Sequence, residues 1–383
     1  MTARKSFSVR RRSVEEVMLE FPAIRPVEDL ECNADVLVLA AGFEERVRAF
    51  PELLSASPGS RFKAILVGRY QTNPEDNDLR FNQVEPLLRQ MSSDIRYVDA
   101  DVPEDVLRSV LRISESVNPS SVLFDISGAS SSFIFSILGS LSQVLPDVSA
   151  RIVYAEAARY SASRRSSDGE EVLEAPELGV ATVWNNAVFP GRHQDSAGSH
   201  IIAFPSHSVL RVARCLNFCG EAVETLAERN VLWVLPRTTN EEHIWRRQET
   251  IEVIRKLMAQ SDLNSDCGPL KPSFEESQVD CETHSPADAA RIVLREADAR
   301  SGQNLYLVHM GSKLQAVGAA LAVAARSEIS VVHARPQKFV PSAYSDGIGR
   351  KYTIDIGGVG GMVKNLSAVG QAVLVCADGT EES

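Results

Sequence analysis

With 383 residues, 44% of them hydrophobic, the chain is long enough for two or three domains of about 150 residues, each with its own core. Its 51 acidic residues outnumber 40 basic ones, and the net charge of -11 repels phosphate polymers, which argues against non-specific binding of a nucleic-acid duplex. Six scattered cysteines without a paired CxxC pattern, seven histidines without HExxH, and no apolar run of about 18 residues argue against a disulfide framework, a zinc motif and a membrane-spanning helix.

The expectation is a reduced, cytoplasmic protein with no metal site, no cofactor and no membrane segment. Cys215 and Cys219 stand four apart on a predicted helix and read as small buried side chains rather than half a metal site.

Residues 1–30 open with Arg4, Lys5, Arg10, Arg11 and Arg12, expected to form a solvated basic tail. A short helix follows from Val14 to Glu20, stopped by Pro22 and Pro26. From residue 31 to 157 strands and helices alternate: DVLVLAA at 35–41, a helix after Gly42 through about Leu54, FKAILVGRY at 62–70, a helix at 74–91 and IRYVDA at 95–100. A helix at 103–117, the strand from Ser121, its following helix, and RIVYAEA at 151–157 complete this unit. Residues 158–199 read as a hairpin-like connector.

The order repeats over residues 200–335. HIIAFP (200–205) is a strand, 208–228 a helix, VLWVLPR (231–237) a strand and 241–258 a helix. After a polar interval at 261–276 come QVDCET (278–283), a helix at 286–299, the strand from Asn304, its helix, and EISVVHAR (328–335). Residues 336–383 form a hairpin or strand extension, with a glycine-rich hinge at GGVGG (357–361) and a last strand at 371–377. Ile95 against Gln278, Val122 against Leu305 and Gly128 against Gly311 fall at one spacing. The fold class is therefore α/β: two tandem Rossmann-like parallel-sheet units, read as an internal duplication, each with an added β-hairpin tail.

Two stretches dominate the functional reading. In SVLFDISGASSSFIFSILGSLSQ (121–143) and NLYLVHMGSKLQAVGAALAVAAR (304–326), an apolar strand runs into a small-residue turn and then a helix. That arrangement aims backbone N–H groups at an anion. Ligands in open parallel sheets bind beyond the strands' C-terminal ends, so the residues there form the candidate site. They are Gly42, Glu44, Arg46, Asp125, Ser127, Gly128 and Ser130 in the first unit, and Arg237, His309, Gly311, Ser312 and Lys313 in the second. The first set carries carboxylates suited to ribose or base donors; the second carries cations suited to phosphate. Lys313 beside a helix N-terminus is unfavourable for the helix dipole unless an anion or carboxylate compensates it. No Walker loop, GxGxxG or GxSxG is present, and the three tryptophans are too separated in sequence for a stacking ladder.

At the two turns the sequence resembles the CARF and SAVED superfamily of Rossmann-like sensors of cyclic oligonucleotides in prokaryotic anti-phage defence. Their fourth-strand motif is Asp-x-[Ser/Thr]-Gly-Gly-[Ser/Thr]-Lys. The first half keeps Asp125, Ser127, Gly128 and Ser130, with Ala129 for the second glycine and Ser131 for the lysine. The second half keeps Gly311, Ser312 and Lys313, with Leu307, His309 and Met310 at the motif's start. The resemblance implies two fused units, a cleft across their pseudo-two-fold and a sensory role with a separate effector protein.

Three functions follow as expectations. The first is a nucleotide-binding sensor or regulator; the second is a nucleotide-processing enzyme, such as a phosphodiesterase, nucleotidase or transferase, using His309 or Glu44 as acid or base. The third is a scaffold without ligand, whose cleft would be apolar or filled by loops. Whether the chain forms an oligomer is left open by its residues.

Overall fold

The computed structural model describes residues 7–30, 32–57, 59–160, 177–220, 230–262 and 277–376. The chain enters through β1 (Phe7–Arg11), α1 (Val14–Met18) and β2 (Ile24–Pro26). Its first unit comprises β3 (Val36–Ala41), a 3-10 turn at Glu45–Arg48, α2 (Ala49–Ala56), β4 (Ala64–Arg69), α3 (Pro74–Met91), β5 (Ile95–Asp99), α4 (Pro103–Val117), β6 (Ser121–Asp125), α5 (Ser131–Val144) and β7 (Ser149–Ala155). A connector carries β8 (Arg159–Tyr160), β9 (Glu177–Leu178) and β10 (Thr182–Asn185). The second unit follows as β11 (Ser199–Phe204), α6 (Val209–Phe218), β12 (Val231–Arg237), α7 (Trp245–Asp262), β13 (Gln278–Glu282), α8 (Pro286–Ala299), β14 (Asn304–His309), α9 (Lys313–Ala325) and β15 (Ile329–Arg335). Last come β16 (Lys338–Phe339), β17 (Ser345–Asp346), β18 (Lys351–Gly358), α10 (Val359–Leu366) and β19 (Ala372–Cys376).

Both sheets have the same parallel core. The first runs β2-β18-β7-β6-β3-β4-β5 and the second β10-β15-β14-β11-β12-β13, so each unit orders its own five strands 5-4-1-2-3. Such identity is what a duplication would leave, and also what two separately acquired units of this fold would share. Every residue of β3 is buried, and so is β4 up to Arg69, because a parallel sheet has both faces covered and reads as unbroken apolar runs.

Helices α5 and α9 pack side by side between the sheets and are buried nearly all round, which joins the units through one core. Phe133, Ile137 and Leu138 from α5 meet Leu314, Val317 and Leu321 from α9 in that core, each contributing about 1.5–3 kcal/mol by burial. Small residues set the spacing: a Cβ on Gly318 of α9 would stand 1.8 Å from the carbonyl oxygen of Pro286, where α8 begins.

The tails depart from the expected hairpins. Strand β10, which leaves the first unit, pairs antiparallel with β15 of the second; β18, which leaves the second, pairs antiparallel with β7 of the first. Two short antiparallel pairs, β9 with β16 and β8 with β17, tie the tails to each other. Each exchange covers a strand whose backbone groups would otherwise line an open sheet edge.

Three local expectations also change. Arg10 and Arg11 belong to β1, which pairs with β19 rather than standing free, while residues 1–6 lie outside the described residues. The first helix ends at Met18, after a capping box between Ser13 and Glu16. Instead of a hinge, GGVGG ends β18 at a bulge, where Gly357 has φ +66°, and starts α10 at Val359. The expected helix at 208–228 is described only as α6 and the polar interval only to Asp262; residues 221–229 and 263–276 lie outside the described residues.

Candidate functional site

Strand order reverses between β3 and β6 in one sheet and between β11 and β14 in the other, and loops beyond such switch points are where ligands bind in this architecture. The two switch points face a common cavity of about 360 Å³, lined by both units. Gly128 and Gly311 both border it, as the paired-turn reading requires.

The turn after β6 is locked from within. Asp125 is buried, and its Oδ1 accepts from Ser127 N at 2.9 Å and Ser127 Oγ at 2.5 Å; Ser127 Oγ in turn accepts from Ala155 N at 2.9 Å. Burial raises the Asp125 carboxyl to about 7, against the lowering effect of those two hydrogen bonds. Gly128 is a packing requirement, since a Cβ there would lie 2.4 Å from the Ala40 carbonyl oxygen and 2.6 Å from Val47. Tyr70 bridges the turn, accepting from Ser130 N at 2.7 Å and lying 3.3 Å from the Gly128 carbonyl oxygen. Ser130 caps α5 through Phe133 N at 3.2 Å.

The turn after β14 instead reaches outward. Ser312 caps α9 in a reciprocal box with Gln315 and also donates to the Thr283 carbonyl at 2.6 Å. Lys313, the first residue of α9, donates to the Ala129 carbonyl of the other unit at 2.7 Å and lies 3.3 Å from Glu44 Oε2. Ser131, the first residue of α5, makes the reciprocal crossing, with Oγ 3.1 Å from Nδ1 of buried His309.

Glu44 is the hub of this crossing. It pairs with Arg46 and accepts from Ser345 Oγ at 2.8 Å. Burial alone would raise its carboxyl, but Arg46 and Lys313 hold it at about 2. Burial lowers Lys313 to about 8 in spite of Glu44. Arg46 also donates to Tyr154 Oη at 2.9 Å and Tyr160 Oη at 3.2 Å, and its Nε, buried at the cavity wall, has no partner. Nor has Nε2 of His309, whose ring burial, with His333 nearby, holds near pKa 3 and therefore neutral.

Five cations line the cavity (Arg46, Arg211, Arg246, Lys313 and Arg335) against three carboxylates (Glu44, Asp101 and Glu177), an excess of two positive charges in a chain of net charge -11. Arg211 pairs with Glu177 and Arg335 with Asp101, the latter across the two units. Aromatic rings fill out the wall: Phe43, Phe339 and Tyr344 pack with centroids 5.5 to 5.7 Å apart, and Trp184 and Trp245 also face the space.

Of the residues expected at the site, Gly42, Glu44, Arg46, Gly128, Ser130, His309, Gly311, Ser312 and Lys313 border the cavity. Asp125 and Ser127 do not; they hold the turn from beneath. Arg237 does not either, its side chain being 58% exposed and within 3.6 Å of Glu282 and 3.9 Å of Asp288. Sequence reasoning missed Tyr154, Arg211 and Arg246. Tyr160 and Ser345 pair between β8 and β17, and Tyr160 and Tyr344 both line the cavity. Trp184 and Trp245, too separated in sequence for a stacking ladder, line it too.

No family model matches the chain, and no curated protein matches it in sequence. Among solved structures, the cytoplasmic domain of a prokaryotic cation chloride cotransporter is similar at 8% identity and TM-score 0.25, covering 80% of this chain and 96% of its own. UDP-GlcNAc 2-epimerase from Neisseria meningitidis bound to UDP-GlcNAc is similar at 12% identity and TM-score 0.21, over 86% of this chain and 97% of that one. An adenylation, ketoreductase and pseudo Asub multidomain structure of a keto acid-selecting NRPS module follows at 12% identity and TM-score 0.19, over 82% of this chain and 31% of that one.

Proposed function

We propose that the protein binds a small anionic, nucleotide-like ligand in the cavity between its two units and acts as a sensor or regulator that reports to a separate effector protein. The observation that carries this reading is the cationic excess of the cavity in an acidic chain. Several of its lining residues also hold a buried polar atom without a hydrogen-bond partner among the described residues, including Arg46 Nε, Ser132 Oγ, Glu177 Oε2, Trp184 Nε1, His207 Nδ1 and His309 Nε2, whereas buried polar groups are almost always paired, directly or through ordered water. The aromatic wall suits a base, and the guanidinium and ammonium groups suit phosphate. A ligand-free scaffold would have an apolar or filled cleft, whereas this one is unfilled and carries five cations and three carboxylates on its wall.

Bond-breaking chemistry has less support. Glu44 is held ionised by two cations and a hydroxyl, and His309 is held neutral by burial, so neither is free to exchange protons near pH 7. A role in anti-phage defence rests on the half-motifs at Asp125–Ser130 and Gly311–Lys313 alone.

Thermal melting against cyclic and linear nucleotides tests the reading. At a hundredfold excess over Kd a ligand adds about 2.7 kcal/mol to stability, a clear rise in Tm. Lys313→Ala is expected to weaken binding about tenfold or more, by loss of a charge-assisted contact. No rise in Tm with any nucleotide would refute the assignment, and an unaltered rise in Lys313→Ala would remove Lys313 from the site.

A further inference from the structure

Two guanidinium groups from opposite units converge on one tyrosine. The Cζ atoms of Arg46 and Arg246 lie 5.8 and 4.6 Å from the ring centroid of Tyr160. Tyr160 Oη accepts from Arg46 at 3.2 Å and lies 3.3 Å from Tyr154 Oη. The other cations lining the cavity are largely matched. Arg211 and Arg335 each have a carboxylate, and Glu44 balances one charge of the Arg46–Lys313 pair, which leaves a single positive charge there. Among the described residues no carboxylate pairs with Arg246, which supplies a second. A small annex beyond Tyr160 and Arg246 contains Glu156, and that carboxylate is already taken by His284 and by Tyr352 Oη at 3.1 Å.

We propose, resting on the nucleotide-like reading above, that the ligand carries a terminal phosphate monoester, held where Arg46 and Arg246 meet at Tyr160, rather than only phosphodiester linkages. A monoester carries about -1.5 to -2 at pH 7, which matches the two uncompensated charges, whereas a phosphodiester brings one. Arg46 contributes a fixed positive charge there, its Nη atoms being bonded to Tyr154, Tyr160 and Glu44. The Arg246 guanidinium, with no carboxylate partner among the described residues, offers a bidentate fork to two of the phosphate oxygens.

Calorimetry with the intact chain tests this, using nucleoside 5′-monophosphates, the 3′,5′-cyclic monophosphates of the same bases, and inorganic phosphate. The monoester is expected to bind about tenfold to a hundredfold tighter than its cyclic counterpart, and Arg246→Gln is expected to abolish the difference while leaving the melting temperature of the free protein in place. Equal binding of both forms, or equal weakening of both in Arg246→Gln, overturns the proposal. Binding of inorganic phosphate, lost in Arg246→Gln, with no nucleotide bound would keep the phosphate site and discard the nucleotide reading. If neither phosphate nor any monophosphate binds, both fall.

Discussion

The turn after β6 and the turn after β14 hold matching places in two sheets of like strand order, and both border one cavity, but their polar groups point in opposite directions. In the first, Asp125, Ser127 and Ala155 satisfy one another, Gly128 is pressed against β3, and Tyr70 fastens the end. The second spends its lysine on the other unit's Glu44 and Ala129. One turn is floor and the other is charge. A pseudo-symmetric cleft within one chain can divide these tasks because each half is free to change without its mate, which a homodimer's halves are not.

The largest expected effect comes from the carboxylate that holds the second turn's lysine. Glu44→Gln leaves Arg46 and Lys313 buried without their carboxylate, a loss of about 3–5 kcal/mol by chemical denaturation. A loss under about 1 kcal/mol would mean that the crossing is not tightly buried in solution. The next test isolates the closed turn. Because the folded pKa of Asp125 is raised from 3.8 to about 7, its contribution is fully present below pH 3.8 and is lost as pH rises through 7. Asp125→Asn escapes that loss, so its stability relative to the parent should improve by about 2–4 kcal/mol between pH 4 and pH 8. A constant difference across that range would show that Asp125 is not desolvated. The smallest effect separates the two glycines. Gly128→Ala drives a methyl into the backbone of Ala40 and should cost about 1–3 kcal/mol, whereas at Gly311 the methyl meets side chains, the capping-box Gln315 amide oxygen at 2.6 Å and Phe204 at 3.4 Å, and should cost less than at Gly128. Equal costs would erase the contrast between a packed turn and an open one.

Much of this contrast was legible in the residues. The alternation of apolar runs with helical periods located ten core strands because parallel strands must be apolar on both faces. Ser130 and Ser312 marked the helix starts through their capping chemistry. The position of Lys313 beside a helix N-terminus called for an anion or a carboxylate, and Glu44 is a carboxylate beside it. Other features left no local trace. Which sheet a tail strand joins depends on a partner some 200 residues away, and the pattern of β18 would be the same beside either unit. Arg237 ends a strand and Arg246 falls within an expected helix, so the sequence favoured the wrong one. Only the packing of α7 brings Arg246 over Tyr160, while Arg237 stays with Glu282 and Asp288. Asp125 and Ser127 fit a ligand-binding pattern, yet their chemistry is consumed in holding the loop.

The exchanged strands also bear on how the chain is made. Strand β7 ends at Ala155, and its neighbour β18 begins only at Lys351, so the nascent first unit leaves the ribosome with an unpaired strand. At about 5–20 residues per second, that edge stays open for roughly 10–40 s of synthesis. During that interval it is a template for the same strand of a neighbouring nascent chain. Pulse-labelled synthesis with a holdase chaperone present or absent should therefore change the soluble yield of the full chain far more than it changes the refolding of chain already complete.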